Sequence, residues 1–376
     1  MAVHVQEKKV NFLFILCYNL FGCDYMKKVV IGMSGGVDSS VAAVLLQEQG
    51  YEVIGVSFRF TEEFDDTDAK KVANLLGIEH HTLDYRKEFK EKVIDKFLDD
   101  YKNGLTPNPC VNCNKVCKFK FLFDCLDKFD CDYIATGHYA KIEDSRLFVS
   151  VDENKDQSYF LYSLPKDRLS KIIFPLEGKT KDEIRDIARI HNLENSDKKD
   201  SFDVCFINDS FRDYMKSFGS TPGDVVNIDT NEVIGKHIGL MYYTIGQRRG
   251  LDIGGTIDRM FVVGKDLKKN ILYICIGSDN DYLVSDSCII DEVNFIGDKV
   301  TKCTAKFRYR QKDNDVELEY LDNGEILVKY PQGVKSVTPG QACVLYNGEE
   351  CLGGGIIKEV RKDGKKLFFL SFFLFL

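Results

Sequence analysis

Between Lys27 and about Ser210, apolar positions fall into short β-rich runs separated by longer stretches with helical spacing. Val29–Ile31, Val53–Phe58, His81–Leu83 and Tyr133–Thr136 read as strands, and Ser39–Gln49 and Ala69–Leu76 as helices. This alternation predicts an α/β domain built on a parallel sheet. Ligands of such sheets bind beyond the carboxyl ends of the strands, where the Ser34 loop, Phe58 and Thr136-Gly137-His138 would converge. After Phe218-Gly219-Ser220-Thr221-Pro222-Gly223 the runs shorten and glycines separate them, which predicts a small β-rich central domain. From about Cys288 longer strands alternate with turn signals: Val316–Tyr320, Glu325–Tyr330 and Gln341–Tyr346, separated by Asp322-Asn323-Gly324 and Pro339-Gly340. A C-terminal β-barrel or sandwich fits this pattern. The expected divisions are a 26–215 nucleotide-binding and catalytic domain, a 216–287 central domain and a 288–362 barrel.

The first strand runs into Gly32-Met33-Ser34-Gly35-Gly36-Val37-Asp38-Ser39-Ser40. Two glycines let the backbone bend and approach an anion, and the helix that follows offers free N–H groups and a favourable dipole. A P-loop of the Walker type needs Lys followed by Ser or Thr after its last glycine, and Asp38-Ser39-Ser40 stands there instead. S-G-G-x-D-S resembles the pyrophosphate-binding PP-loop of the ATP-pyrophosphatase superfamily, whose members transfer AMP to a carbonyl oxygen. Gly178-Lys179-Thr180 lacks the upstream glycine of a Walker loop, and Thr180-Lys181-Asp182-Glu183 reads as a helix capping box.

Composition narrows the rest. The 376 residues are 44% hydrophobic, enough for two or three cored domains, and the net charge of −8 argues against a generally basic coat. Local basic runs at Lys115–Lys120, Gln247-Arg248-Arg249 and Arg308–Lys312 still favour a polyanionic partner. Thirteen cysteines in a chain too large to need disulfide staples point to a reducing, cytoplasmic setting with some thiols used for chemistry. Residues 1–25 imitate a secretory signal, but Met26-Lys27-Lys28 leads straight into the first strand, so an upstream extension is the simpler reading. The apolar tail 363–376 is far short of the ~20 residues needed to span a bilayer, and no membrane association is expected.

Cys110-Val111-Asn112-Cys113 follows Thr106-Pro107-Asn108-Pro109, a C-x-x-C that in a reducing compartment means a redox pair, a metal site or a catalytic thiol. A structural zinc site would show a second pair, and none follows downstream. Cys205, between Val204 and Phe206, reads as a core cysteine on its own. Cys117 falls in an apolar helical slot, and the histidines have no metal partners at useful spacing.

The PP-loop, Thr106–Pro109, Cys113-Asn114, Thr136–Tyr139, Lys155–Leu161, Cys205-Phe206-Ile207, Tyr243–Arg248, Arg308-Tyr309-Arg310 and Leu352–Gly355 together resemble the bacterial-type tRNA-specific 2-thiouridylases. The resemblance runs from about Met26 to about Val360 and implies thiolation of the tRNA wobble uridine at C2, with ATP as co-substrate and Mg2+ as its companion ion. It implies that Gly32, Met33, Ser34, Gly35, Gly36, Val37, Asp38, Ser39, Phe58 and Gly137 bind ATP. Asn108, Pro109 and Cys110 would face the target base, and Lys155, Asp156, Gln157, Arg308 and Tyr309 would contact tRNA. Cys113 matches the nucleophile and Cys205 the persulfide carrier, supplied by a sulfur donor protein (a persulfide carrier or cysteine desulfurase) or by inorganic sulfide. Many members of the family carry Asp, a general base, at the position of Cys110. With a thiol there, Cys110, Cys113 and Cys205 suggest three ligands of a [4Fe–4S] cluster, with the persulfide route as its rival and an inhibitory Cys113–Cys205 disulfide left open. Other readings are a different adenylating enzyme of the superfamily, thiolating another tRNA position or activating a carboxylate, and a non-catalytic RNA-binding or sulfur-carrying relative.

Overall fold

A computed structural model describes residues 26–198, 204–207, 210–251 and 259–367. The expectations for 1–25 and for most of the apolar tail lie outside the described residues.

The first strand, β1 (Lys28–Gly32), is a run of Val-Val-Ile with all three side chains buried, as a strand covered on both faces requires. It leads into α1 (Val37–Glu48), then β2 (Glu52–Arg59), α2 (Thr67–Leu76) and β3 (Glu79–Asp84). A helical stretch over 86–102 follows, then α3 (Pro109–Cys113), a π-helical turn (Asn114–Lys118) and α4 (Phe119–Phe129). Strand β4 (Tyr133–Thr136), the hairpin β5 (Lys141–Glu143) and β6 (Arg146–Phe148), β7 (Ile172–Ile173) and α5 (Lys181–Ile190) complete the domain. The parallel sheet has the order β3-β2-β1-β4-β7, with Gly32 paired to both Val56 and Thr136. The ends of β1, β2 and β4 therefore meet at one edge, as the sequence pattern predicts.

After α6 (Phe211–Lys216), strands β8 (Gly223–Asn227), β9 (Val233–His237), β10 (Met260–Asp266) and β11 (Ile271–Ile276) form a four-stranded sheet, the β-rich central domain. Then β12 (Val284–Phe295), β13 (Lys302–Lys306), β14 (Asn314–Tyr320), β15 (Ile326–Lys335), β16 (Ala342–Asn347) and β17 (Glu350–Lys362) follow. They pair in the order β12-β15-β14-β13-β16-β17, and β17 returns to β12, closing a six-stranded barrel. Closure leaves no exposed sheet edge within the barrel. The Gly353-Gly354-Gly355 run is what allows it: a Cβ at these positions would lie 2.1 Å from the Asn294 carbonyl, 2.3 Å from that of Cys343 and 2.6 Å from that of Asp291. One departure from the sequence reading concerns β5–β6, which leaves the first domain and pairs with β17 through Glu350 and Cys351.

The three units converge on residues 104–109. Thr106 N–H donates to the Pro339 carbonyl (3.0 Å), and Gln341 Nε2 donates to the Thr106 carbonyl (2.7 Å), both from the barrel. From the central sheet, Lys265 Nζ donates to the Gly104 carbonyl (3.1 Å). Lys265 is only 4% exposed, and burial alone pulls its ammonium down to about 7. An unfolded lysine holds its proton to about 10.5, so between about pH 7 and 10.5 the unfolded chain binds the extra proton and stability rises with pH. Lys265→Met removes this group's slope of up to about 1.4 kcal/mol per pH unit. Thermal midpoints at pH 7 and pH 9 should therefore lie closer together in the variant than in the parent; equal spacing in both would contradict the assignment.

Candidate active site

The PP-loop is built from the bottom up by its own side chains. Gly36 caps α1, Ser39 and Ser40 hydroxyls donate to the Gly36 carbonyl (3.1 and 2.9 Å), and Ser34 N–H donates to Ser39 Oγ (3.2 Å). Gly35 has φ +73°, and a Cβ there would sit 3.0 Å from that of Asp68, so both the turn and the close approach demand glycine. Met33 and Val37 are buried and anchor the loop, while Ser34 faces out. Gly137, at the end of β4, lies against the same helix start: a Cβ on it would be 2.7 Å from Ser39 N and 2.8 Å from the Asp38 carbonyl carbon. Phe58 ends β2 in an aromatic cluster, its ring centroid 5.6 Å from Tyr85 and 6.0 Å from Phe121.

Asp38 is held rather than free. Its Oδ1 accepts from Tyr139 OH and from Lys181 Nζ, each at 2.7 Å, and Lys181 is only 8% exposed. Lys181 opens α5, whose start is fixed by the Thr180–Glu183 capping box expected from the sequence. The turn after α5 closes over the loop: Asn195 Nδ2 donates to the Gly35 carbonyl (3.1 Å) and Ser40 Oγ (2.8 Å), and Lys198 pairs with Asp68 (2.7 Å). Sequence reasoning missed Tyr139, Lys181 and Asn195. The one signal available was that the capping box puts a lysine at the first position of a helix.

The thiols gather on the neighbouring turn. Asn108 caps α3 by accepting from Val111 N–H (3.3 Å), and Pro109 sits at its first position, where a missing N–H costs nothing. Cys110 is exposed and Cys113 buried on this helix, and Cys205 is exposed nearby. Each of the three thiols feels the Lys118 ammonium, and Cys113 also feels both other thiols. Burial pushes Cys113 up to about 12; Cys110 and Cys205 reach the surface, but protein packed around their sulfurs desolvates and raises them too, with Lys118 opposing the shift in all three. The π-helical turn inserts an extra residue ahead of Lys118, and Asn114 in the same turn donates to the Phe160 carbonyl (3.0 Å). Lys118 Nζ lies 3.5 Å from His138 Nε2, and Thr136 Oγ1 lies 2.7 Å from His138 Nδ1. Because lysine only donates, the His138 proton belongs on Nδ1, and burial with the adjacent ammonium holds the ring neutral.

Removing that ammonium should leave the thiols less acidic still. Lys118→Met is expected to move the pH profile of Cys205 alkylation by iodoacetamide upward by about 0.5–1 unit. An unchanged profile would remove Lys118 from the thiol chemistry.

Several expected site residues have internal work. Among the described residues no three Cys, His, Asp or Glu side chains are grouped to hold a metal ion, so the cluster expected on Cys110, Cys113 and Cys205 does not fit: one thiol is buried and two face out. Cys117 is buried, as its helical slot suggested. The Arg308 guanidinium, expected on tRNA, donates to the Ile245 carbonyl (2.8 Å), the Ser336 carbonyl (2.6 Å) and Thr338 Oγ1 (2.6 Å), clamping the central domain to the barrel. Asp156 is 7% exposed and accepts from Ser150 N–H, Ser158 N–H and Ser158 Oγ, so it orders its own turn. Gln157 Oε1 accepts from Tyr139 N–H (3.0 Å), bracing the Gly137 loop. Lys155 is half-buried beside them, Tyr309 packs on Phe160 at 4.4 Å, and Arg248 and Arg249 are exposed.

Comparison with known proteins decides the family. The chain is 46% identical to the tRNA-specific 2-thiouridylase MnmA of Bacillus subtilis (strain 168), over 91% of this chain and 98% of that protein. The chain belongs to the tRNA-specific 2-thiouridylase family. The Listeria monocytogenes member is likewise 46% identical, over 90% of this chain and 97% of that one, and the Bacillus cytotoxicus member 45% identical over 92% and 98%. Three family descriptions match along the thiouridylase chain: tRNA methyl transferase HUP domain over 27–209, tRNA methyl transferase PRC-barrel domain over 212–276, and aminomethyltransferase beta-barrel domain over 285–357. No helix among the described residues is long and apolar enough to cross a membrane.

Proposed function

We propose that this protein is a tRNA sulfurtransferase that uses ATP to replace O2 of the wobble uridine with sulfur, giving 2-thiouridine, AMP and pyrophosphate. One observation carries the reading: the PP-loop, closed by Gly137, and Lys118, whose ammonium acts on Cys110, Cys113 and Cys205, share one end of the parallel sheet, bridged by Thr136 and His138. A nucleotide and a sulfur nucleophile can therefore meet on one bound base.

In this mechanism the N-terminus of α1 and the N–H groups of Gly35 to Ser39 hold the pyrophosphate, and Asp38 is the carboxylate the loop offers to a nucleotide-borne Mg2+. Phe58 and Gly137 border the nucleoside. Asn108, Pro109 and Cys110 face the base, which must leave its stack to be reached. Adenylation turns the C2 oxygen into a leaving group. Cys205 accepts sulfur as a persulfide from a donor protein, and the buried Cys113 thiol releases it, with Lys118 favouring the thiolate forms. The basic surface at Arg248-Arg249, with Lys155 and Tyr309, suits tRNA phosphates and unstacked bases. Free thiols at the reacting end suit a cytoplasmic enzyme.

The test is to incubate the protein with ATP, Mg2+, a persulfide donor and tRNA lacking the modification, then digest the tRNA to nucleosides for mass spectrometry. A 2-thiouridine yield that needs both ATP and the donor, with pyrophosphate released, supports the reading. Pyrophosphate release without any thiolated nucleoside would point to another adenylating reaction of the fold.

A further inference from the structure

Persulfide chemistry needs two thiols, and this site holds three. Cys110 and Cys113 lie in one turn of α3, where helix geometry separates their Cα atoms by about 5 Å, within the span a disulfide bridges. Cys205 precedes Phe206, which packs in the apolar cluster that also contains Cys113. The Phe206 ring lies 5.8 Å from Phe89 and 5.3 Å from Phe97. Cys113 is buried, whereas Cys110 on its own helix and Cys205 are exposed, and both act electrostatically on Cys113.

We infer that Cys110 is a resolving thiol, which moves the disulfide left by sulfur transfer off Cys205 and onto the C-x-x-C pair. The inference rests on the persulfide reading above. In the transfer step the Cys113 thiolate attacks Sγ of the Cys205 persulfide. The Cys113–Cys205 bond forms, the bond to the outer sulfur breaks, and hydrosulfide leaves with the electron pair. That sulfur is reduced as the two cysteines are oxidised, and it then displaces AMP from C2, losing its proton to solvent. Cys110, its own proton passed to solvent, attacks Sγ of Cys113. The Cys110–Cys113 bond forms, and Cys205 leaves as the thiolate, ready for the next sulfur. This exchange changes no net oxidation state. A dithiol reductant from outside then returns two electrons to the C-x-x-C disulfide through the exposed Cys110. An aspartate at position 110 orients or takes protons but cannot do this.

The experiment is a single turnover. Protein loaded with sulfur by a cysteine desulfurase and cysteine, freed of small thiols, is mixed with ATP and unmodified tRNA, quenched with iodoacetamide and digested with trypsin. Cys110 and Cys113 then share the peptide 103–115, and Cys205 lies on the peptide 200–212. The parent protein should give 103–115 closed on itself and 200–212 alkylated. In Cys110→Ser the two peptides should appear cross-linked, about tenfold more per 2-thiouridine formed than in the parent. Cys110→Asp, which puts a carboxylate in place of the thiol, should trap the same cross-link. Equal cross-linking in parent and variants overturns the resolving role while leaving the persulfide route standing. Thiolation that leaves no disulfide overturns the role and the Cys113 step together. Absence of both 2-thiouridine and Cys205 persulfide overturns the underlying reading, and the inference with it.

Discussion

Cys205→Ser should lower 2-thiouridine formation by about 10³-fold or more while pyrophosphate release on tRNA persists, because a hydroxyl cannot carry a transferable sulfur. The split follows from the geometry. Cys205 feels Cys110 and the Lys118 ammonium, whereas the Gly36–Ser40 turn that would hold the nucleotide is built from its own serine hydroxyls. The two half-reactions are read separately, by pyrophosphate release and by nucleoside mass spectrometry. Loss of both to the same degree would mean that Cys205 acts in adenylation, and the sulfur-carrier assignment would fall. Because Cys205 is exposed, serine should leave thermal stability close to the parent's.

The second large effect is expected at Gly137. A methyl group there would sit 2.7 Å from Ser39 N and 2.9 Å from the Asp38 carbonyl oxygen, both backbone atoms of the pyrophosphate turn. Backbone cannot step aside as a flexible side chain can, so Gly137→Ala must push β4 and α1 apart. Adenylation should fall by at least about 100-fold, chiefly through a weakened ATP site, since displacements of about 1 Å cost factors of this size. Cys205 should still accept persulfide from a donor, because the added methyl would press on Asp38 and Ser39 backbone atoms. ATP affinity by calorimetry, with persulfide loading as the control, checks this; near-normal ATP affinity would show that the loop tolerates the methyl.

What could be read from the chain was local. Val29 to Ser40 announces strand, glycine turn and helix within twelve residues, and every part lies where that pattern puts it. The C-x-x-C behind Asn108-Pro109 was legible for the same reason: a cap, a proline at the first helical position and two thiols one turn apart. What the sequence did not show has a different cause. Arg308 and Asp156 carry charge in motif positions, but what they do depends on acceptors at Ile245, Ser336 and Thr338, or on a turn that swallows the carboxylate. A charge's partner far along the chain leaves no periodic trace. Lys118 was visible only as one charge of the Lys115–Lys120 run; that it lies in a π-helical turn and reaches His138 was not. The β5–β6 hairpin pairs with a strand about two hundred residues later, and short strands carry too little pattern to name a distant neighbour.

The tie between Gln341 and Thr106 spans 235 residues of chain. During synthesis at roughly 5–20 residues per second, the PP-loop, its sheet and the closing turn through Lys198 leave the ribosome some 7–30 seconds before Gln341 exists to brace the Thr106 loop. A nascent chain thus completes its nucleotide cradle well before it can grip a uridine, and ribosome-bound chains should hold ATP without adenylating tRNA.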